Sequence, residues 1–383
     1  MELNFNQDWR FRREGGAWEN VTLPHDAMIT EVRSADAPGG VNSGYFPGGK
    51  YEYEKCFTVT DTNKSYVFHF EGVYQNCTVS VGGVLCGSHR YGYTAFDVDI
   101  SDAVRAGENL VTVTVDNSLQ PNCRWYSGSG IYRDVTLLMR DKNYINTLQI
   151  ETVSVSPAVI NVTSDADTVE IYDGNTLIVS GKPGELTILD AKLWSAEHPY
   201  LYRCRAKSST DEKWLTFGIR ELRWSAETGL TVNGKTVKLR GGCIHHDHGV
   251  LGACEYRESE ERRIRILKEQ GFNAVRIAHN PASQITLETC DRLGMYVITN
   301  ALTAGTCQRP TTTIRGTFMR IGKLTLLLWW RARGITHRSS CTPSATRSAK
   351  RPHIKARRSA VSLPISCVPS IQQDPLPPES TCF

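Results

Sequence analysis

Between Tyr51 and Arg140 apolar and polar residues alternate in a series of short segments: YEYEKCFTV, SYVFHFEGV, CTVSVGGV, AFDVDIS, NLVTVTVDN and DVTLLM, separated by Gly, Asn, Asp and Ser turns. A period of two buries one face of an extended chain, so this stretch must form antiparallel strands stacked as a sandwich or jelly roll. A second β stretch, from about Asn143 to Gly218, carries INTLQIETVSVS, TVEIYDG and TLIVSG, and its length suits a small immunoglobulin-like sandwich. Beyond it the period changes. VKLRGGC reads as a strand, Glu258 to Gln270 as a charged helix, NAVRI as a strand, Ala282 to Leu293 as a helix and MYVI as a strand, the opening of a parallel β/α array.

After Ile298 the array stops, and the charge balance inverts with it. Residues 1–298 hold 31 Lys and Arg against 38 Asp and Glu, whereas residues 299–383 hold 13 against 2. The overall +4 therefore describes neither part. By composition alone the later segment, Ser- and Thr-rich with a Pro-rich end, reads as disordered or as a basic tail for nucleic acid. Its Arg and Lys show no helical period and no interleaved aromatics, so nucleic acid is not expected as a partner. No apolar run approaches the roughly 20 residues of a membrane span, and the MELNFNQDWRF start lacks a signal-peptide layout, so a cytoplasmic protein without a membrane partner is expected. Twelve Cys without CxxC spacing disfavour zinc ribbons and a disulfide scaffold and favour buried free thiols.

Two strand ends carry the chemistry. In LRGGCIHHDHGVLGA, His245, His246, Asp247 and His248 stand just beyond a strand of the array, where β/α barrels keep functional groups. A metal site, a structural loop and a substrate-contacting polar loop are all open at this point. Adjacent His residues on extended backbone face opposite ways, however, and cannot all converge on an ion. The next strand, NAVRIAHNP, ends with Arg276, His279 and Asn280, where an Arg can hold a carboxylate ionised and a His can donate to a hydroxyl. In the first domain NCRWYSGSGIYRDVTL sets Arg124, Trp125 and Tyr126 before a Gly-rich turn. Such aromatics suit either stacking on sugar rings or loop packing.

Together these residues resemble glycoside hydrolase family 2, the β-galactosidase, β-glucuronidase and β-mannosidase family, over about residues 3–298. The marks, in chain order, are LPHDAMI, FEGVYQNCTVSVGG, YTAFDVDIS, RWYSGSGIYRDV, LWSAEHPYLY, FGIRE, LRGGCIHHDHGVLGA, GFNAVRIAHNP and CDRLGMYVI. The resemblance implies a jelly-roll sugar-binding domain (1–142), an immunoglobulin-like β-sandwich (143–222) and the first strands and helices of a (β/α)8 TIM barrel (223–298). It implies that His245 and His279 contact the sugar, that Arg276 flanks the nucleophile and that the Trp125 loop closes the pocket from the first domain. Asp247 and Asn280 join them as substrate-binding candidates, Asp247 by a looser match. Cys123 and Arg124 stand where some β-galactosidases carry a metal-binding carboxylate, so no ion and no cofactor is implied. The HHDHGVLGA form of the loop resembles β-galactosidase-type members, which makes a terminal β-galactoside the expected carbohydrate partner. A homo-oligomer is compatible with the family.

Family 2 enzymes are retaining glycosidases, in which one carboxyl group protonates the leaving oxygen while another, roughly 5 Å away, attacks the anomeric carbon. The resemblance puts both Glu residues beyond residue 298, and neither motif is present in the chain as written. Family members continue from MYVI with Asp-Glu-x-Phe-Asp-x-Trp-Tyr, whereas this chain continues TNALTAGTC. Restoring one G before the Thr299 codon lets the other frame read Asp-Glu-Cys-Phe-Asp-Gly-Trp-Tyr. The same shift turns CTPSATRS at 341–348 into Tyr-Ser-Ile-Gly-Asn-Glu-Val, the family's acid/base motif, its Glu codon straddling those of Thr346 and Arg347. A single lost base after Ile298 is therefore expected. It would leave 299–383 an out-of-frame, disordered tail and the chain an inactive fragment with no catalytic residue of its own. The alternative is a non-catalytic carbohydrate-binding protein built on two whole β domains.

Overall fold

The computed structural model describes residues 1–299 apart from Arg124 and Lys142. Beyond Thr299 the expected tail, with its displaced motif at 341–348, lies outside the described residues.

The first domain is built from β1 (Glu2–Asn4), β2 (Trp9–Arg13), β3 (Glu19–Val21), β4 (Lys50–Val59), β5 (Ser65–Phe70), β6 (Cys77–Val81), β7 (Val84–His89), β8 (Phe96–Asp99), β9 (Gly107–Asp116) and β10 (Val135–Arg140). They form two antiparallel sheets, ordered β1-β10-β5-β8 and β3-β2-β4-β9-β6-β7. The alternation in β4 sets Tyr51, Tyr53, Phe57 and Val59 inward, and pairing with β9 puts Tyr51 opposite Val115 and Tyr53 opposite Val113. These side chains meet Phe68, Phe70 and Leu137 of the other sheet in one core. Burying each large side chain contributes about 1.5–3 kcal/mol. Strands β1 to β3 precede the alternating region that announced the domain; β1 is exposed throughout and is held by its pairing to β10.

The second domain comprises β11 (Leu148–Val155), β12 (Ala158–Ser164), β13 (Thr168–Asp173), β14 (Thr176–Gly181), β15 (Gly184–Ile188), β16 (Tyr202–Lys207) and β17 (Glu212–Phe217). Sheets β11-β12-β15 and β14-β13-β16-β17 enclose Ile150, Ile160, Val162, Val169, Ile171, Tyr202 and Cys204. A small antiparallel sheet follows, β18 (Leu222–Ser225), β19 (Gly229–Val232) and β20 (Lys235–Thr236), which was not anticipated because its strands are short and mostly exposed.

The parallel array consists of β21 (Gly241–Ile244), α1 (Arg257–Glu269), β22 (Ala274–Ile277), α2 (Gln284–Leu293) and β23 (Tyr296–Thr299), with sheet order β21-β22-β23. The strand expected at VKLRGGC begins only at Gly241. The Asn273 side chain accounts for the difference: it accepts from Arg240 N at 2.7 Å and donates to Lys238 O at 3.0 Å, satisfying backbone that a ladder would otherwise pair. Helix α2 starts at a Ser283 cap whose Oγ accepts from Thr286 N at 3.1 Å. It ends at Gly294 in the left-handed region, where a Cβ would lie 2.3 Å from Ala196 O of the second domain. Trp194 seals that seam, 1% exposed, edge-on to Tyr296 and donating to Asp291 O at 2.8 Å.

The thiols are free among the described residues. Cys77, Cys204, Cys254 and Cys290 are buried as expected, while Cys56 and Cys243 are exposed. Cys56 follows from the period of β4, which turns it outward as Phe57 turns in. No helix among the described residues is long and apolar enough to cross a membrane.

Candidate functional site

Strand β21 delivers the His-rich loop to the face of the first domain. The strand ends at Ile244, and the loop beyond it takes His246 and His248 to partners other than those of His245 and Asp247. The His246 ring enters the first domain, 3.3 Å from Ser127 O and edge-on to Tyr93, and burial holds it neutral with its pKa lowered to about 3. His248 turns toward α1, with Nδ1 2.8 Å from Ser259 Oγ and Nε2 3.4 Å from Glu260 Oε1. Arg263 of the same helix donates to His245 O at 2.8 Å and Asp247 O at 3.0 Å while pairing with the buried Glu260. The helix thus grips the loop by its backbone and leaves the His245 and Asp247 side chains free to face outward.

They face Trp125. The indole lies on the His245 ring with centroids 4.0 Å apart and planes 9° from parallel, and its Nε1–H donates to Asp247 Oδ1 at 2.7 Å. His279, just past β22, stands edge-on to His245 at 5.6 Å. Asn280 accepts from Tyr91 OH at 2.8 Å, a second bond from the first domain. Arg276 lies across the ladder from Cys243, with Nη1 3.5 Å from its Sγ. Burial lowers the pKa of His245; the Asp247 charge opposes that shift, and Arg263 and Arg276 reinforce it.

The six residues singled out in the sequence, Trp125, His245, Asp247, Arg276, His279 and Asn280, therefore lie at one junction of two domains. Trp125, His245, Asp247 and His279 are in direct succession; Asn280 joins through Tyr91, and Arg276 through its charge on His245. Sequence reasoning missed Tyr91, Glu260 and Arg263. The latter two sit at i and i+3 in a helix read only as charged, a spacing that allowed their pairing but not their grip on the loop.

Behind the loop the two domains are fastened by buried charge. Arg133 of the first domain and Glu255 of the barrel segment pair at 2.6 Å, each side chain 2% exposed, although that Nε is not aligned as a hydrogen-bond donor. Glu255 also accepts from the Ser283 cap and from Thr286 of α2.

The junction offers an aromatic face, two imidazoles, a carboxylate, an amide and a guanidinium. That combination suits hydroxyl-rich ligands, which need apolar ring contact and polar groups of both senses. No group of three or more His, Cys, Asp or Glu side chains among the described residues could hold a metal ion.

Three family models match successive stretches of the chain: "Glycosyl hydrolases family 2, sugar binding domain" at 18–141, "Glycosyl hydrolases family 2" at 133–220 and "Glycosyl hydrolases family 2, TIM barrel domain" at 226–320. A β-galactosidase of Bacteroides ovatus is 33% identical over 78% of this chain and 41% of its own length. A β-glucuronidase of Bacteroides fragilis is 28% identical over 77% of this chain and 48% of its own. Among solved structures, a glycosyl hydrolase family 2 member from Bacteroides cellulosilyticus superposes with a TM-score of 0.80 at 33% identity, covering 87% of this chain and 50% of that one. The chain thus spans half or less of the length of these relatives.

Proposed function

The chain belongs to glycoside hydrolase family 2, and on that footing we propose that it derives from an enzyme hydrolysing terminal β-galactosides by the retaining, two-step route. The observation that carries the sugar reading is the Trp125–His245–Asp247 junction, where the first domain closes over the end of the first barrel strand. The β-galactoside assignment rests on the HHDHGVLGA loop and is supported by the B. ovatus relative. A titration of the purified chain with β-galactosides and β-glucuronides separates the two sugars.

The proposal extends to activity. Neither Glu of the retaining pair stands in a family motif of this chain; the family's continuation of MYVI and its acid/base motif both lie in the frame reached by one added base after Ile298. The B. ovatus relative aligns over 78% of the chain, and the barrel-domain match runs to residue 320. On this reading the chain binds a galactoside weakly and does not turn it over. Turnover of a nitrophenyl β-galactoside by the purified chain would overturn inactivity, and an uninterrupted coding frame through TNALTAG in independent reads would overturn the lost base.

A second reading, a non-catalytic carbohydrate-binding protein, is favoured by the two whole β domains and by a junction assembled without the catalytic pair. An intact coding frame together with galactoside binding would select it.

A further inference from the structure

Asp26, in the LPHDAMI segment between β3 and β4, is 1% exposed and takes no part in the chemistry proposed above. Its Oδ1 accepts from Met28 N and Ser129 N, both at 3.0 Å. Its Oδ2 accepts from Tyr126 OH at 2.6 Å and Ala253 N at 2.8 Å. The four donors come from three segments: Asp26's own turn, the Trp125 loop, and the far end of the barrel loop that begins at His245. A carboxylate has about four acceptor positions, so this one is saturated.

We propose that Asp26 is a positioning residue for the sugar-facing junction, its carboxylate fixing the Trp125 loop and the 245–253 loop in a single register. Tyr126 adjoins Trp125 in the chain, so the hydroxyl bond sets the backbone one residue from the indole. On the barrel side, Arg263 holds the loop at His245 and Asp247, and Asp26 holds it at Ala253. Both loops also place a glycine where they approach the carboxylate. A Cβ on Gly252, at φ +62°, would lie 2.3 Å from Oδ2, and one on Gly128, at φ +67°, would lie 2.9 Å away. Positive φ already favours glycine at both positions, and the carboxylate closes the space further, most tightly at Gly252; at Gly128 the Cβ of Ala253 lies nearer still, at 2.5 Å.

This assignment rests on the sugar reading of the junction, and the experiment separates the two. The indole N–H of Trp125 reports the register directly, because it is hydrogen-bonded only if both loops are in place. In the ¹⁵N-tryptophan-labelled full chain its signal is identified by Trp125→Phe. Asp26→Asn keeps the shape but sets an NH2 against backbone N–H whichever way the amide turns, and Tyr126→Phe removes one bond without touching the core. We expect both variants to keep their far-UV circular dichroism while the Trp125 signal moves to the position and exchange rate of a free indole. We also expect affinity for a thiogalactoside, which is not hydrolysed, to fall about tenfold, the cost of losing a hydrogen bond to a charged group. An unchanged Trp125 signal in Tyr126→Phe and in folded Asp26→Asn would overturn the proposal, as would undiminished thiogalactoside affinity. If Asp26→Asn fails to fold, Tyr126→Phe decides alone. If the wild-type chain binds no thiogalactoside, the sugar reading falls, and the indole signal still tests Asp26.

Discussion

Trp125 of the first domain lies flat on His245 of the barrel segment, 4.0 Å between ring centroids, and its N–H is bonded to Asp247 two residues on. One side chain therefore spans the two domains and touches both outward-facing members of the His-rich loop. A stacked aromatic pair contributes about 0.5–1.5 kcal/mol beyond the area it buries. Trp125→Ala should weaken thiogalactoside binding by about tenfold, and Trp125→Phe, which keeps the ring but not the N–H, by less. Calorimetric titration of both variants checks the order, and equal loss in the two would mean that the Asp247 bond matters more than the ring.

Much of this junction was legible in the sequence because its residues lie at or just past strand ends, where β/α barrels keep their functional groups. His245 and Asp247 meet Trp125, while His246 enters the first domain and His248 turns to α1. Trp125 stood out as an aromatic beside a Gly-rich turn. The residues that hold the junction were not legible. Arg263 acts on carbonyl oxygens and Asp26 on amides from three segments, and no periodicity encodes a bond from a side chain to remote backbone. The same limit explains the late start of β21, where Asn273 occupies the backbone groups of Lys238 and Arg240. The β18–β20 sheet escaped notice because exposed short strands bury too little to impose a pattern.

On the outer face of the first domain His69 stands between two carboxylates, with Nδ1 2.6 Å from Asp97 and Nε2 3.1 Å from Glu71. Burial alone would lower its pKa, but these bonds and charges outweigh it and raise the pKa from 6.5 to about 10. A base whose folded pKa is raised adds stability that is complete below the unfolded value and is lost as pH rises through the folded one. His69→Gln should therefore lower the melting temperature at pH 6, with the difference from wild type closing as pH approaches 10. A difference independent of pH would mean that the ring matters by packing alone.

His25 and His89 behave oppositely. Burial lowers both to about 4, His89 lying against Phe96 with Nε2 2.9 Å from Thr94 Oγ1. The unfolded chain binds these protons near pH 6.5 and the folded chain does not, so stability should fall as pH drops from 6.5 toward 4. Urea denaturation at pH 7 and pH 5 measures the loss. His89→Gln, which cannot be protonated, should reduce that loss, and an identical loss in the variant would remove His89 as its source.

The seam between the second domain and the parallel array depends on Trp194, which packs with Val232, Ala274 and Tyr296 and donates to Asp291 O at 2.8 Å. Arg220 lies over its ring at 4.5 Å. Truncating a buried Trp to Ala costs about 3–5 kcal/mol, and here it would also leave the Asp291 carbonyl without this donor. The loss falls on contacts between units, since the immunoglobulin-like core of Ile150, Ile160 and Ile171 forms a separate cluster. Trp194→Ala should therefore split thermal unfolding into two calorimetric transitions, the β21–β23 segment melting first while the β-sandwich keeps its midpoint. A single transition shifted as a whole would show that the seam is part of one cooperative unit, with Trp194 serving the second domain as much as the barrel.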